Sequence, residues 1–246
     1  MSQCTANCSS VEVKRYETFE QLVQSIFDEY LNQTKNTEAK YGPRILKQRV
    51  KAAAKKCGSI KNRNLEICRM CIKSCNHQWH LNMRKKELDE AAERLYKSQV
   101  WKNAPQTNPD ISDFEQLFNA IVNEMKDTKY IGGQTTYDTA LSVGQFFEQE
   151  IVPEKYVYMI SDHVVTAFNA LTENGFITKD AVEKDLSRPR GKVAKYLICE
   201  TSSFSPLINL LFENSTPDVE ITFDSMVIED FLCILGASIK KKKQNT

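Results

Sequence analysis

The sequence predicts a mostly α-helical, multi-helix globular fold with little or no sheet. Apolar residues recur at helical spacing in most segments, and a hydrophobic content of 41% over 246 residues is enough to bury a core. The sequence has no run of 18 apolar residues, and its start matches neither a signal peptide nor a transit peptide. We therefore expect an intracellular protein, in the cytoplasm or nucleus, with no membrane partner.

Four helices are predicted in the first part of the chain. Residues 18–33 place apolar side chains on one helical face, with Thr18 as a candidate N-cap. Pro43 suits the first turn of a basic helix that Gly58 would end. The other two helices are expected to carry the cysteines near residue 70 and to cover residues 84–101, which are rich in good helix formers.

Residues 102–110 form the clearest boundary in the chain. They contain two prolines, two asparagines and nothing apolar larger than alanine, which is typical of a loop or linker. The sequence therefore predicts a basic helical half with Cys and His residues over residues 1–104. A second helical half follows over residues 110–240, and the two halves can also pack as one domain.

The second half is also mainly helical in pattern. Ser112 and Glu115 match a capping box before an amphipathic helix, and Gly175 is a candidate left-handed cap. Gly236 is expected to stop the last helix, which begins near Ser225. Further helices are predicted from about Thr136 to Phe147 and from Ser161 to Thr172, with a short strand in residues 190–203 and a disordered basic tail at residues 240–243.

Charge is segregated along the chain. Between Lys40 and Lys86 there are fourteen Lys and Arg residues and one acid, Glu66, so this segment carries +13 and the rest of the chain −12, because the total is +1. Such asymmetry favours a polyanionic partner, since Lys and Arg release counterions when they bind phosphates. The alternatives are a solvated basic helix balanced by acidic neighbours, or a helix that docks on an acidic protein. The candidate phosphate contacts are Lys47, Arg49, Lys51, Lys55 and Lys56, together with Arg188, Arg190 and Lys192 of a basic loop.

Residues 68–80, "CRMCIKSCNHQWH", concentrate three cysteines and two histidines. Their spacing suits a zinc site, and with Cys57 as a fourth thiolate it also suits an iron–sulfur cluster, the less favoured of the two metals. A buried core helix explains the cysteines as well, because free cysteine is among the most buried residue types. The candidate metal ligands are Cys68, Cys71, Cys75, His77 and His80.

Paired glycines precede a helix in residues 129–147, "KYIGGQTTYDTALSVGQFF". A tight glycine turn exposes backbone N–H groups at a helix N-terminus, where a phosphate can bind. Over residues 112–172 the chain resembles the helix-hairpin-helix element of the DNA glycosylase superfamily, with Ile131-Gly132-Gly133 and Thr139-Ala140 matching its pattern. It departs from that pattern at Gly132, which replaces a proline, and at Thr135, which replaces the second glycine.

The resemblance implies a DNA partner and a site. Gly132, Gly133 and Thr135 would grip a DNA phosphate, a base would rotate out of the stack, and Asp162 would act as the catalytic carboxylate of base removal. Tyr137 or Asp138 stands where lyase-type members carry a lysine, so a lyase activity is not supported. From the residues alone, a helix-capping role with Ser161 also explains Asp162.

Two classes of function follow from these observations. The first is a nucleic-acid-binding protein, DNA rather than RNA, with glycosylase-like hydrolysis in DNA repair. The second is a non-catalytic DNA-binding or adaptor protein with a structural metal site, or a protein-interaction domain. The sequence has no P-loop, G-x-S-x-G, H-E-x-x-H or dinucleotide fingerprint, which argues against the common nucleotide-binding and hydrolase classes.

Overall fold

The computed structural model describes residues 18–36, 60–72, 85–103, 111–128, 131–145, 150–187, 193–213 and 223–244. These residues are mostly helical and include one small antiparallel sheet, so the predicted fold class is confirmed at that level. Of the three strands in the sheet, only the last was predicted. None of the helices in these ranges is long and apolar enough to cross a membrane.

The described residues form nine α-helices and three strands. The helices are α1 (Phe19–Asn36), α2 (Ile60–Ile72), α3 (Lys85–Lys97), α4 (Gln99–Asn103), α5 (Phe114–Met125), α6 (Gly133–Gly144), α7 (Asp162–Glu173), α8 (Ser205–Glu213) and α9 (Ser225–Gln244). The strands are β1 (Tyr156–Met159), β2 (Val182–Ser187) and β3 (Val193–Glu200), and a 3₁₀ turn (Thr201–Phe204) leads into α8.

The sheet separates two hydrophobic cores. Its order is β1-β3-β2, and β3 pairs antiparallel with both neighbours. Because side chains of a strand alternate between faces, Tyr158 of β1 packs into the core formed by α2–α6, whereas Val157 and Met159 pack into the core formed by α1 and α7–α9. Each core therefore contains elements from both halves of the predicted domain division, whose boundary lies largely outside the described residues.

An aromatic cluster packs α5 and α6 against the sheet. Phe114 and Phe118 of α5 meet Tyr158 edge to face, at centroid distances of 5.1 and 5.9 Å. Tyr137 of α6 meets the same two phenyl rings at 5.7 and 5.9 Å, and Tyr196 of β3 completes the group. Such edge-to-face pairs add about 1 kcal/mol each to the burial of the rings.

The start of α5 is capped one residue later than predicted. Asp113 is the N-cap, and its carboxylate accepts a 2.9 Å hydrogen bond from the Gln116 amide. The Gln116 side chain in turn accepts a 2.7 Å hydrogen bond from the Ser112 amide. Asp113 and Gln116 therefore take the roles that were predicted for Ser112 and Glu115. Glu115, the predicted partner of Ser112, instead forms a 2.9 Å ion pair with Lys184 of β2.

The other helix ends give a mixed outcome. The caps at Thr18 and Gly175 are confirmed: the Thr18 hydroxyl accepts from the Gln21 amide, and Gly175 is left-handed, with φ of +76°. The predicted stop at Gly236 is wrong, because α9 continues to Gln244 and therefore includes the residues expected to form a disordered tail. Gly236 lies where α9 touches the main chain of His163, so close contact explains this glycine better than helix termination.

Candidate functional site

The basic segment is described only at α2 and from Lys85 onward. The predicted phosphate contacts Lys47, Arg49, Lys51, Lys55 and Lys56, and those at Arg188, Arg190 and Lys192, lie outside the described residues. Helix α2 packs against α3 and α6, with Cys68, Cys71 and Ile72 fully buried. The described part of the segment is thus anchored in the core by one apolar face.

Arg69 of α2 forms ion pairs within the fold. Its guanidinium donates to Asp89 of α3 at 2.6 Å and to Glu66 at 3.2 Å, and the hydrogen bond to Asp89 raises the Arg69 pKa. All three side chains are about one-third exposed. Because its donors are directed at carboxylates, Arg69 joins two helices, while Lys86 at the start of α3 is exposed to solvent.

The predicted metal cluster is described at two of its five residues. Cys68 and Cys71 lie on one face of α2 and are completely buried, and burial raises the pKa of both thiols. Their surroundings are those of core cysteines. Cys75, His77 and His80 lie outside the described residues, and within the described ranges no group of three His, Cys, Asp or Glu side chains is arranged to hold a metal ion. Zinc and iron–sulfur binding therefore stay predictions.

The predicted phosphate-binding turn is mostly covered. Helix α6 begins at Gly133, not near Thr136 as predicted, and Gly132 is its N-cap with no side-chain hydrogen bond. A Cβ at Gly133 would lie 2.6 Å from Leu186 of β2, and Thr135 is buried. Of the three predicted contacts only Gly132 is exposed, so the helix-hairpin-helix element is not confirmed.

Helix α6 is buried along nearly its whole length despite its polar sequence. The hydroxyls of Thr136, Thr139 and Ser142 each donate to the main-chain carbonyl one turn earlier, at 2.7 to 2.9 Å. This bonding satisfies the hydroxyl donors without a partner from another element. Gln134 donates to the Asp138 carboxylate at 2.9 Å, which leaves an acidic side chain in the interior.

Two carboxyl groups of α9 are also buried, and the charge of Asp138 acts on one of them, Glu229. The Glu229 carboxyl is enclosed, although the residue keeps some exposed surface, and its pKa is raised by burial and by the nearby charges of Asp138 and Asp230. Burial also raises the Asp230 pKa to about 6, against the opposing effect of a hydrogen bond from Tyr30. Cys233, one turn later, is hydrogen-bonded to Ser161, and burial raises its pKa to about 12.

Sequence reasoning did not identify these carboxyl groups as a cluster. Its one signal was a Glu-Asp pair inside the apolar run "SMVIEDFLCILG", where ionised groups are costly to bury. Chemically, the arrangement of Asp138, Glu229 and Asp230 favours retention of a proton, because neighbouring buried carboxylates cannot all ionise. We therefore interpret Glu229 and Asp230 as buried acids of α9 that retain a proton, with Tyr30 of α1 bonded to Asp230 and the charge of Asp138 acting on Glu229.

Asp162, the predicted catalytic residue, is exposed in the first turn of α7. Ser161 is the N-cap and accepts from the Val164 amide at 3.2 Å, so Asp162 is not itself the capping residue. Ile160 contacts Gly133 closely, since a Cβ there would lie 3.1 Å from its methyl group. The structure thus brings the beginnings of α6 and α7 together.

His163 follows Asp162 and faces the end of α9. It is exposed, and its pKa is lowered by partial desolvation and by Lys240, while Asp162 acts in the opposite direction. The backbone contact with Gly236 fixes its place on α9. Two neighbouring features therefore meet here: the acidic start of α7 and the basic end of α9.

Comparison of the chain with protein-family models, curated proteins and solved structures found no match.

Proposed function

We propose that the protein binds nucleic acid, preferentially DNA, through the basic segment between Lys40 and Lys86. The observation that carries this proposal is the charge of +13 in 47 residues beside −12 in the rest of the chain. A polyanion is attracted to the first more strongly than to the second, so the segment is expected to supply most of the phosphate contacts.

The environment of α2 supports this role for the segment. Its apolar face, with Cys68, Cys71 and Ile72, is held in the core, so the flanking basic residues are attached to a folded support. Arg69 is already paired with two acids and is not counted among the phosphate contacts. The main contacts in this proposal are Lys47, Arg49, Lys51, Lys55 and Lys56.

Base removal at Asp162 is a second candidate function. It is favoured by the contact between Ile160 and Gly133, which brings the loop before Asp162 to the start of α6. The choice of DNA over RNA rests on the resemblance of residues 112–172 to the helix-hairpin-helix element of the DNA glycosylase superfamily. Binding by the basic segment does not depend on this activity, so the two functions are tested separately.

A salt titration against duplex DNA tests the binding function. The logarithm of the association constant is expected to fall linearly with the logarithm of salt concentration, with a slope of about −0.9 for each phosphate contacted. The variant Lys51→Gln/Lys55→Gln/Lys56→Gln is expected to lose about 2 to 3 of that slope. Lys102→Gln/Lys126→Gln/Lys179→Gln is the matched control, because these three exposed lysines lie outside the segment.

The outcomes separate binding from general charge effects. Equal slopes for the wild type and the segment variant would overturn the proposal, as would wild-type binding that is insensitive to salt. An equal loss in the control variant would show that total charge, and not the basic segment, determines affinity.

A further inference from the structure

Strand β2 is one edge of the sheet. Within the described ranges it pairs with β3 alone, because the strand order is β1-β3-β2. An edge strand carries main-chain N–H and C=O groups on its outer side that can pair with a further strand. The opposite edge differs, since Val157, Tyr158 and Met159 of β1 are at most 2% exposed and α9 packs against that strand. Strand β2 is therefore the edge that an added strand can reach.

The side chains of β2 form a different surface on each face of the sheet. Leu186 is buried in the core formed by α2–α6, and alternation places Val182 and Lys184 on the same face. Glu183 and Asp185 lie on the opposite face. Val182 is 55% exposed and is the one exposed large hydrophobic side chain among the residues that the structure describes. The edge thus offers an apolar contact on one face and two carboxylates on the other.

The charged side chains of β2 differ in how far they are neutralised. Lys184 pairs with Glu115 of α5 at 2.9 Å, and Glu183 pairs with Lys195 of β3. Asp185 is exposed and lies opposite Lys195 in the strand register, but no ion pair joins it to another described residue. One ammonium group therefore serves two carboxylates on this face, and the face stays acidic.

We propose that the outer edge of β2 binds an extended basic segment of another protein as a fourth strand. Main-chain hydrogen bonds supply the affinity of such strand addition, and alternate side chains supply its specificity. In an antiparallel fourth strand, the residues opposite Asp185 and Glu183 are two positions apart on one face. Basic residues at both positions form cross-strand charge pairs, and an apolar residue next along the strand contacts Val182. The expected partner pattern is basic-x-basic-apolar.

A second copy of the chain fits this edge less well. Two antiparallel β2 strands would be related by a two-fold axis perpendicular to the sheet, so side chains of the same face would meet. With the axis at Lys184, Glu183 faces Asp185 of the second copy, and with the axis at Glu183 or Asp185, that acid faces its own equivalent. Like charges directly opposite each other are destabilising. Charge therefore favours a basic segment as the occupant.

Two synthetic hexapeptides with blocked ends test the proposal on the full chain. They are Thr-Lys-Thr-Lys-Val-Thr and, as the acidic counterpart, Thr-Glu-Thr-Glu-Val-Thr. The basic peptide is expected to bind more tightly than the acidic one, because its lysines face Asp185 and Glu183. It is also expected to slow hydrogen exchange at alternate amides of β2, since every second N–H of an edge strand points outward.

Substitutions of Asp185 test the charge pairing. Asp185→Asn is expected to weaken binding of the basic peptide by up to about fivefold, the value of one cross-strand charge pair. Asp185→Lys should weaken it further and strengthen binding of the acidic peptide. Asp127→Lys is the matched control, because Asp127 is an exposed acid beyond the end of α5, whereas Glu115 at its start contacts Lys184. Thermal unfolding shows whether each variant keeps the fold.

Three results would overturn the proposal: equal affinity for the two peptides, Asp185 variants that bind like Asp127→Lys, or a bound basic peptide that leaves the β2 amides unprotected. Sedimentation of the free protein tests the other occupant. A dimer that protects the same amides would assign the edge to a second copy instead. Peptide binding is measured without nucleic acid, so its failure leaves the proposed function standing, and failure of DNA binding leaves this inference standing.

Discussion

Gly236 of α9 lies directly on the main chain of His163 in α7, where a Cβ would overlap the histidine carbonyl oxygen. This contact sets how closely the two helices cross. Gly236→Ala is therefore expected to lower the free energy of unfolding by about 1 to 3 kcal/mol, because the backbones must separate to admit a methyl group. Denaturant unfolding measures this loss.

Gly132→Ser is the control for that substitution. No atom lies within 4 Å of a Cβ at Gly132, and the residue has an extended N-cap conformation that serine favours. We expect unchanged stability or a gain of a few tenths of a kcal/mol. Equal losses at both positions would contradict a steric role for Gly236.

Asp230 is expected to make stability depend on pH. Its folded pKa is raised from 3.8 to about 6, so the folded protein binds the proton more tightly than the unfolded chain does. The associated stability is fully present below about pH 4 and lost as the pH rises through 6, by up to about 3 kcal/mol. Asp230→Asn should flatten the stability curve between pH 4 and 7 and raise stability at pH 8. A variant with the wild-type pH profile would assign the dependence to other groups, with Glu229→Gln as the next substitution to measure.

Arg69 is expected to stabilise the fold without contributing to DNA affinity. Arg69→Gln removes the ion pairs to Asp89 and Glu66 and should cost about 1 kcal/mol, since the group is partly exposed. Chemical denaturation and DNA titration are measured on the same variant. Lys97→Gln, which removes a more exposed pair with Glu93, should cost less than about 0.5 kcal/mol. A large loss of affinity in Arg69→Gln would place this residue among the phosphate contacts.

Asp162→Asn distinguishes binding from base removal. The carboxylate lies in the first turn of α7, near the positive end of the helix, so its loss should cost about 0.3 to 1 kcal/mol of stability. Binding to undamaged duplex DNA should not weaken. Abasic-site formation on damaged or modified duplexes is the assay for catalysis: activity in the wild type that disappears in the variant would establish the enzyme. Its absence from the wild type, or its persistence in the variant, would end that hypothesis.

Substitutions of Cys68 and Cys71 distinguish a role in the hydrophobic core from a role in metal binding. Both thiols are fully buried, so Ser is expected to cost up to about 1 kcal/mol more than Ala at either position, because its hydroxyl loses water even when it bonds to the carbonyl one turn earlier. Thermal unfolding of Cys68→Ala, Cys68→Ser, Cys71→Ala and Cys71→Ser measures the difference between Ser and Ala at each position. Near-stoichiometric zinc or iron in wild-type protein purified without chelators, lost equally in Ala and Ser variants, would instead identify the cysteines as ligands.

Helices with one buried face were predictable, whereas only one of the three strands, β3, was predicted. The apolar faces in residues 18–33 and 114–125 become the buried faces of α1 and α5, because tertiary packing uses the same 3.6-residue period that the sequence shows. Strand β1 has no alternation to detect, since cores cover both of its faces. In β2, only Leu186 of the residues with described side chains is buried, so its sequence resembles a loop.

The candidate sites were predictable only where local spacing defined them. Two predicted ligands, Cys68 and Cys71, do share a helix face, as their spacing requires. The effect of the Asp138 charge in α6 on Glu229 in α9 joins residues 91 positions apart, which no local pattern encodes. Gly236 shows the same limit, because a glycine needed for helix contact and one that ends a helix look alike in sequence.

The division of the cores by the sheet has a consequence for synthesis of the chain. Helix α1 has its apolar partners in α7, α8 and α9, so a chain emerging from the ribosome presents Leu22, Val23 and Phe27 long before their neighbours exist. Its apolar face stays open until residues beyond 225 are made. A nascent chain halted before α9 should therefore be sensitive to proteases within α1 and bind chaperones that recognise exposed apolar helices, and release of the complete chain should end both.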